Sequence, residues 1–161
     1  MSPNLNDLAA YLDRACDYIS QGLTEQAIGD CNRAIAIDPQ SNDAYRIRGI
    51  AYFNFRLYDE LISDLSMAIQ LCAEDAAAHS MLASAHLNTG DSSLAVEYSN
   101  YALQLNPEDG NAYCTRSLAV SNLGNIEQGI EDASEAIRLN PEDPDAFKSR
   151  GICYCTAGDY E

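Results

Sequence analysis

Six cysteines, two histidines and twenty-five carboxylates are the side chains with which this chain could do chemistry. The cysteines are Cys16, Cys31, Cys72, Cys114, Cys153 and Cys155. A structural zinc site needs ligand pairs at set spacings, and only Cys153-Tyr-Cys155 brings two thiols close. On a helix, however, residues i and i+2 point to different sides and chelate poorly. The chain shows no Gly-rich phosphate loop, no HExxH and no nucleophile beside a plausible base. The reading is therefore no catalytic residue, no metal and no cofactor. One acidic motif stands out: LNPED is written at 105–109 and again at 139–143. An acidic loop of this kind can hold a cation or face a basic partner, or it can be punctuation between helices.

The spacing of the two motifs supplies the elements that position everything else. Pro39, Pro107 and Pro141 fit a frame of 34 residues, with Ala73 on the skipped beat. The frame divides the chain into repeats 8–41, 42–75, 76–109 and 110–143, a half repeat 144–161, and a lead-in 1–7. Position 4 holds Tyr11, Tyr45, His79, Tyr113 and Phe147; position 8 holds the small residues Ala15, Gly49, Ala83, Ser117 and Gly151. Position 11 is Tyr18, Tyr52, His86, Val120 and Tyr154, and position 27 is always alanine in the full repeats. Positions 4, 7, 8 and 11 make one helical stripe, and 20, 24, 27 and 30 make another. Gly22, Gly90, Gly124 and Gly158 at position 15 separate the two helices, with Arg56 as the exception. Each repeat is thus an antiparallel helix pair.

Within this frame LNPED reads as stop, turn and start. Asn106 and Asn140 suit the left-handed conformation that ends helices, and Pro107 and Pro141 prevent continuation. Asp7, Ser41, Asp75, Asp109 and Asp143 fall at the expected N-caps, followed in the last case by Pro144 at the first helical position. Period, small residues, glycine and proline together resemble the tetratricopeptide repeat over residues 8–161. The resemblance implies an all-α, right-handed superhelical solenoid of about nine helices in a single domain. His79 and His86 depart from the family's aromatic residues and are expected as packed core side chains.

A second pattern runs across the columns. Position 7, leucine in the family, is Arg14, Arg48, Leu82, Arg116 and Arg150, and position 23 is Asp30, Asp64, Tyr98 and Asp132. Each full repeat with arginine at one position has aspartate at the other. The expectation is an Arg–Asp bridge within each such repeat: Arg14–Asp30, Arg48–Asp64 and Arg116–Asp132. An arginine at a helix-pairing position is partly buried, where an unpaired charge is expensive.

The resemblance also implies a concave groove lined by the first helices. The second repeat offers it Arg46, Ile47, Ile50, Phe53 and Asn54; the third offers Met81, Ser84, Leu87 and Asn88; the fourth offers Thr115, Leu118 and Asn122. These are apolar anchors and amides, with few charges. Members of the family that bind chaperone C-terminal carboxylates need lysine, asparagine and arginine at set groove positions. Here those positions carry Leu12, Cys16, Ile47, Ala77 and Met81, or, one repeat on, Arg46, Ile50, Met81, Asn111 and Thr115. Neither set supplies the fork of cations a carboxylate requires.

The totals bound the partners. A net charge of −16 repels phosphate backbones and anionic lipid, so nucleic acid and membrane are poor partners. No apolar run spans a bilayer, and MSPNLNDLAAYLDRACDYIS has no signal-peptide pattern, so a cytoplasmic location with reduced thiols is expected. The leading functional reading is a non-enzymatic module that binds a peptide or protein in a neutral groove. The alternatives are a regulatory or targeting arm of a larger enzyme or secretion component continuing beyond residue 161, and a scaffold that self-associates through its C-terminal edge.

Overall fold

Each helix ends where its sequence stops offering backbone partners, and the computed structural model, which describes residues 5–158, places nine α-helices among the described residues. They are α1 (Leu5–Ser20), α2 (Thr24–Ile37), α3 (Asn42–Asn54), α4 (Tyr58–Leu71), α5 (Ala76–Thr89), α6 (Ser92–Leu105), α7 (Gly110–Asn122), α8 (Ile126–Leu139) and α9 (Pro144–Ala157). Short turns fold α1 back on α2, α3 on α4 and α7 on α8, so each pair is antiparallel.

The turn inside each repeat needs one residue with positive φ. Gly22, Gly90, Gly124 and Gly158 adopt it at no steric cost, with φ from +73 to +92. Arg56 takes the same conformation at φ 57, although its Cβ disfavours it.

The turns between repeats differ from the left-handed ending expected of Asn106 and Asn140. Both are extended, at φ −136, ψ 94 and φ −137, ψ 94. Their side-chain oxygens instead accept from the amides of Glu108 (3.1 Å) and Glu142 (3.2 Å). The residue before a proline is pushed out of helical space, and the asparagine side chain then closes an Asx turn around it.

Caps on the next helix follow. Ser41 accepts from Ala44 N, Asp75 from Ala78 N, Asp109 from Ala112 N and Asp143 from Asp145 N, at 3.0–3.3 Å. Asp7 is not outside its helix: α1 begins at Leu5, which puts Asp7 inside the first turn. There its charge still meets the positive end of the helix dipole. Asp91 and Asn125 cap α6 and α8, a role the repeat columns did not assign them.

By contacts the chain forms two compact units, Met1–Ala78 and His79–Glu161. In the first unit Ala15, Ala27, Cys31, Ile47 and Ala51 form the core of α1, α2 and α3, with Leu12, Tyr18, Ile19 and Ile28 packed against it. In the second, Tyr113 bridges two clusters, Ala102–Leu103–Ala112 and Cys114–Ala136–Ala146. Alanine dominates because the paired helices approach closely. At Gly129 a Cβ would stand 2.8 Å from the Ser117 carbonyl oxygen, so no larger residue fits.

Candidate functional site: the faces of the first helices

In the first, second and fourth repeats an Arg–Asp pair ties the first helix to the second. Arg14 donates from Nε and Nη2 to the two oxygens of Asp30, at 2.5 and 2.8 Å. Arg48 meets Asp64 at 2.7 and 2.7 Å, and Arg116 meets Asp132 at 2.8 and 2.7 Å. All three are bidentate forks, the strongest geometry a carboxylate offers. The aspartates are buried; Arg14 is half-exposed, while Arg48 and Arg116 are largely covered. Hydrogen bonding from Arg14 holds the Asp30 carboxyl below its ordinary range, burial opposing it, and the same kind of bond from Asp64 and Asp132 raises Arg48 and Arg116.

Two partners of these forks lie outside the paired columns. Asn32 accepts from Arg48 at 2.5 Å and Asn100 from Arg116 at 2.7 Å, each reaching from the preceding repeat. Each guanidinium also lies over the aromatic residue three positions earlier, with Arg14 at 5.3 Å from the Tyr11 ring, Arg48 at 5.6 Å from Tyr45 and Arg116 at 5.4 Å from Tyr113. The i, i+3 spacing of Tyr and Arg is the signal that would have revealed these stacks. Where Leu82 and Tyr98 replace the ion pair, rings replace charges: Tyr98 stacks on His86 at 5.3 Å and packs against His79 at 6.0 Å. His79 also stacks on Tyr101.

The first-helix face that this framework presents differs between positions. In the first unit Phe53 is 39% exposed and Asn54 is open to solvent, while Ile50 is half-buried. Arg46 is held by Asp43 and by Asp75 at 3.1 Å, which turns it into a strut between the ends of α3 and α5. Ile47, expected in the groove, is only 7% exposed. It belongs to the core with Ala15, Ala27, Cys31 and Ala51, because its side chain points toward the neighbouring pair.

In the second unit Met81, Ser84, Leu87 and Leu118 are half-buried, and Asn88 and Asn122 are exposed. Thr115 is 6% exposed, so it too leaves the groove set; its hydroxyl lies 3.2 Å from Ser84 Oγ, closing α5 onto α7. The amides are already engaged in part. Asn88 donates to the Ser84 carbonyl of its own helix at 2.7 Å, and Asn122 donates to Ser92 Oγ at 3.2 Å. Beside Asn122 an open depression of about 710 Å³ is lined by Thr89, Gly90, Asp91, Ser92, Ser93 and Leu123.

The remaining chemistry-bearing residues are separated. Cys153 is buried against Ser117 and Cys155 is exposed, on different sides of α9. Burial pushes the Cys31 thiol up to about 12 and the Cys114 thiol to about 11. Among the described residues no group of three or more His, Cys, Asp or Glu is placed to hold a metal ion. No helix among them is long and apolar enough to cross a membrane.

Comparison with known proteins bears on this geometry. Tetratricopeptide repeat models match residues 12–73 and 114–161, and a second model of the same repeat matches 76–109. No curated protein shows significant sequence similarity to the chain. Among solved structures, MamA (TM-score 0.81, 22% identity) is similar over 97% of this chain and 85% of its own. MamA of Desulfovibrio magneticus RS-1 is similar at TM-score 0.82 and 19% identity, over 96% of this chain and 87% of its own. YrrB, a TPR protein with an unusual peptide-binding site, is similar at TM-score 0.75 and 22% identity, over 94% of this chain and 78% of its own.

Proposed function

The chain belongs to the tetratricopeptide repeat family, and from that premise we propose that it is a non-catalytic interaction module that holds a peptide or protein partner against the faces of its first helices. The observation that carries this reading is the exposure of Phe53 on the face of its first helix. A large aromatic at 39% exposure, beside the exposed amide of Asn54, combines an apolar anchor with backbone hydrogen-bonding capacity. In the second unit Leu87 and Leu118 with Asn88 and Asn122 repeat the same combination. Ile47 and Thr115 serve the framework instead. YrrB's peptide-binding site is a precedent on the same fold.

The charge pattern favours a neutral or mildly basic partner segment. The three Arg–Asp forks keep their cations occupied, and Arg46 is held by two aspartates. No fork of free cations faces a carboxylate-tailed ligand from these first-helix positions, which argues against chaperone C-termini. Six free cysteines fit a reducing compartment, in keeping with a cytoplasmic location.

The test is capture of partners by the immobilised protein, compared with Phe53→Ala and Leu87→Asp. Both variants are expected to keep their helical circular dichroism and to lose the same captured proteins. Unchanged capture by both would remove the groove assignment.

A further inference from the structure

The turn between α3 and α4 is a second surface, independent of the groove reading. Three successive residues there, Phe55, Arg56 and Leu57, work against the fold. The position that is Gly22, Gly90 and Gly124 in the other repeats is Arg56 here, held at φ 57. A side chain in that conformation is strained, and such strain collects at ligand clamps and switches. Asp91 and Asn125 cap the helices that follow their turns, whereas Leu57, like Leu23, gives its helix no side-chain cap. Phe55 stands where the first and third repeats have Gln21 and Thr89, and it is 47% exposed; Leu57 is 37% exposed.

Arg56 gives this turn its chemistry. Arg14, Arg33, Arg46, Arg48, Arg116 and Arg138 each hold a carboxylate of the chain. Arg56 is exposed and holds none among the described residues, although acidic residues outnumber basic ones 25 to 9. Asp59 and Glu60 follow three and four residues later, but they stand in the first turn of α4, where the helix dipole favours them. The apolar frame around the cation is braced: the Phe53 ring meets Tyr58 edge-on at 6.2 Å. The turn therefore presents an unpaired guanidinium between two exposed apolar side chains.

Glycine at 56 would relieve the strain and aspartate at 57 would cap α4, yet neither would offer a cation in an apolar frame. We propose that this turn docks an acidic segment of a partner protein, an aspartate or glutamate flanked by bulky apolar residues. The carboxylate forks onto the Arg56 guanidinium, and the flanking apolar residues cover Phe55 and Leu57. An exposed ion pair is worth little in water, and apolar side chains closing around it exclude the water that weakens it. The rest of the chain selects for a small occupant. Two copies would each bring a charge of −16, and an anionic lipid surface would be repelled in the same way. A short segment brings few charges, and those are screened from distant carboxylates beyond roughly 8 Å at physiological salt.

The probe is a random dodecapeptide display library, selected on the immobilised full chain and depleted on Arg56→Gly. Depletion removes peptides that bind the first-helix faces, since both proteins share them. The remaining pool is expected to be rich in peptides with an acidic residue between apolar ones. A labelled peptide from the pool should bind the wild-type chain saturably in anisotropy. Arg56→Gly and Arg56→Asn, both at ease in the left-handed region, should weaken it about tenfold or more, the loss of a charge-assisted bond. Changing the acidic residue of the peptide to its amide should cost as much on the wild type and little further on Arg56→Asn. Phe55→Ser should weaken binding too, while Leu123→Ser, at an exposed turn residue beside Gly124, should leave it unchanged. Arg56→Gly should unfold in urea with a free energy no lower than the wild type's, so its loss of binding is not a loss of fold. A pool without acidic enrichment, or equal binding by Arg56→Asn, overturns the proposal. So does Arg56-dependent sedimentation with phosphatidylserine vesicles or an Arg56-dependent dimer in light scattering, since the occupant would then be a membrane or a second copy.

Discussion

Replacing Asp132 with alanine would strand the Arg116 guanidinium between two helices. The carboxylate is 2% exposed and accepts from Arg116 at 2.8 and 2.7 Å and from Gln128 at 3.3 Å. The Arg116 side chain is 20% exposed, so water reaches it only in part. After the substitution it keeps Asn100 and the Tyr113 ring, neither of which carries charge. Breaking a buried pair on one side costs about 3–5 kcal/mol. Arg116→Leu should cost a similar amount, because Asp132 would then be buried with Gln128 alone. The double variant Arg116→Leu/Asp132→Tyr copies what the third repeat does with Leu82 and Tyr98, removing both charges and refilling the space with carbon. It should lie within about 1 kcal/mol of the wild type, because a buried pair gains little over a packed apolar replacement. Urea unfolding followed at 222 nm measures all three. Closed with the single variant Asp132→Tyr in place of Asp132→Ala, the cycle should return a coupling of about 3 kcal/mol or more, a large share of the ~5–15 kcal/mol that holds a domain together. A double variant as unstable as the sum of the two single ones would refute the reasoning, since the pair would then not be the thing each change breaks.

Four further outcomes follow from individual residues. Arg56→Gly relieves a left-handed arginine at φ 57 and should raise the unfolding free energy in a urea titration by about 0.5–1 kcal/mol, after the added freedom of the unfolded chain is set against the strain. Gly129→Ala places a Cβ 2.8 Å from the Ser117 carbonyl oxygen and 3.0 Å from Cys153 Sγ, and should cost about 1–3 kcal/mol. Gly29→Ala, where a Cβ meets nothing within 4 Å, should instead gain up to about 1 kcal/mol in the same melt. The Asp30 carboxyl, lowered in the folded state chiefly by its hydrogen bonds from Arg14, stabilises the fold above its ordinary value of 3.8. That contribution is lost as pH falls below 3.8 and through the depressed value, so Asp30→Asn should flatten the acid limb of an unfolding curve measured from pH 6 to about pH 2.

The period, the helix pairs and the chain's punctuation are set by residues acting on their own neighbours. A glycine at positive φ, a proline after the last turn and an aspartate before the first each act within a few residues, so reading the chain in steps of 34 reveals them. The covariation of Arg14, Arg48 and Arg116 with Asp30, Asp64 and Asp132 is visible in the same columns, because each pair sits at a constant separation of 16 residues. Packing between elements is another matter. Ile47 and Ile50 are three residues apart and equally apolar, yet Ile47 enters the core with Cys31 while Ile50 stays half-buried. Helical spacing assigns a face; the neighbouring pair decides how far around that face the burial extends. Asn106 shows the same limit at the level of a turn, where the following proline and a side-chain bond to Glu108 override its tolerance for the left-handed region.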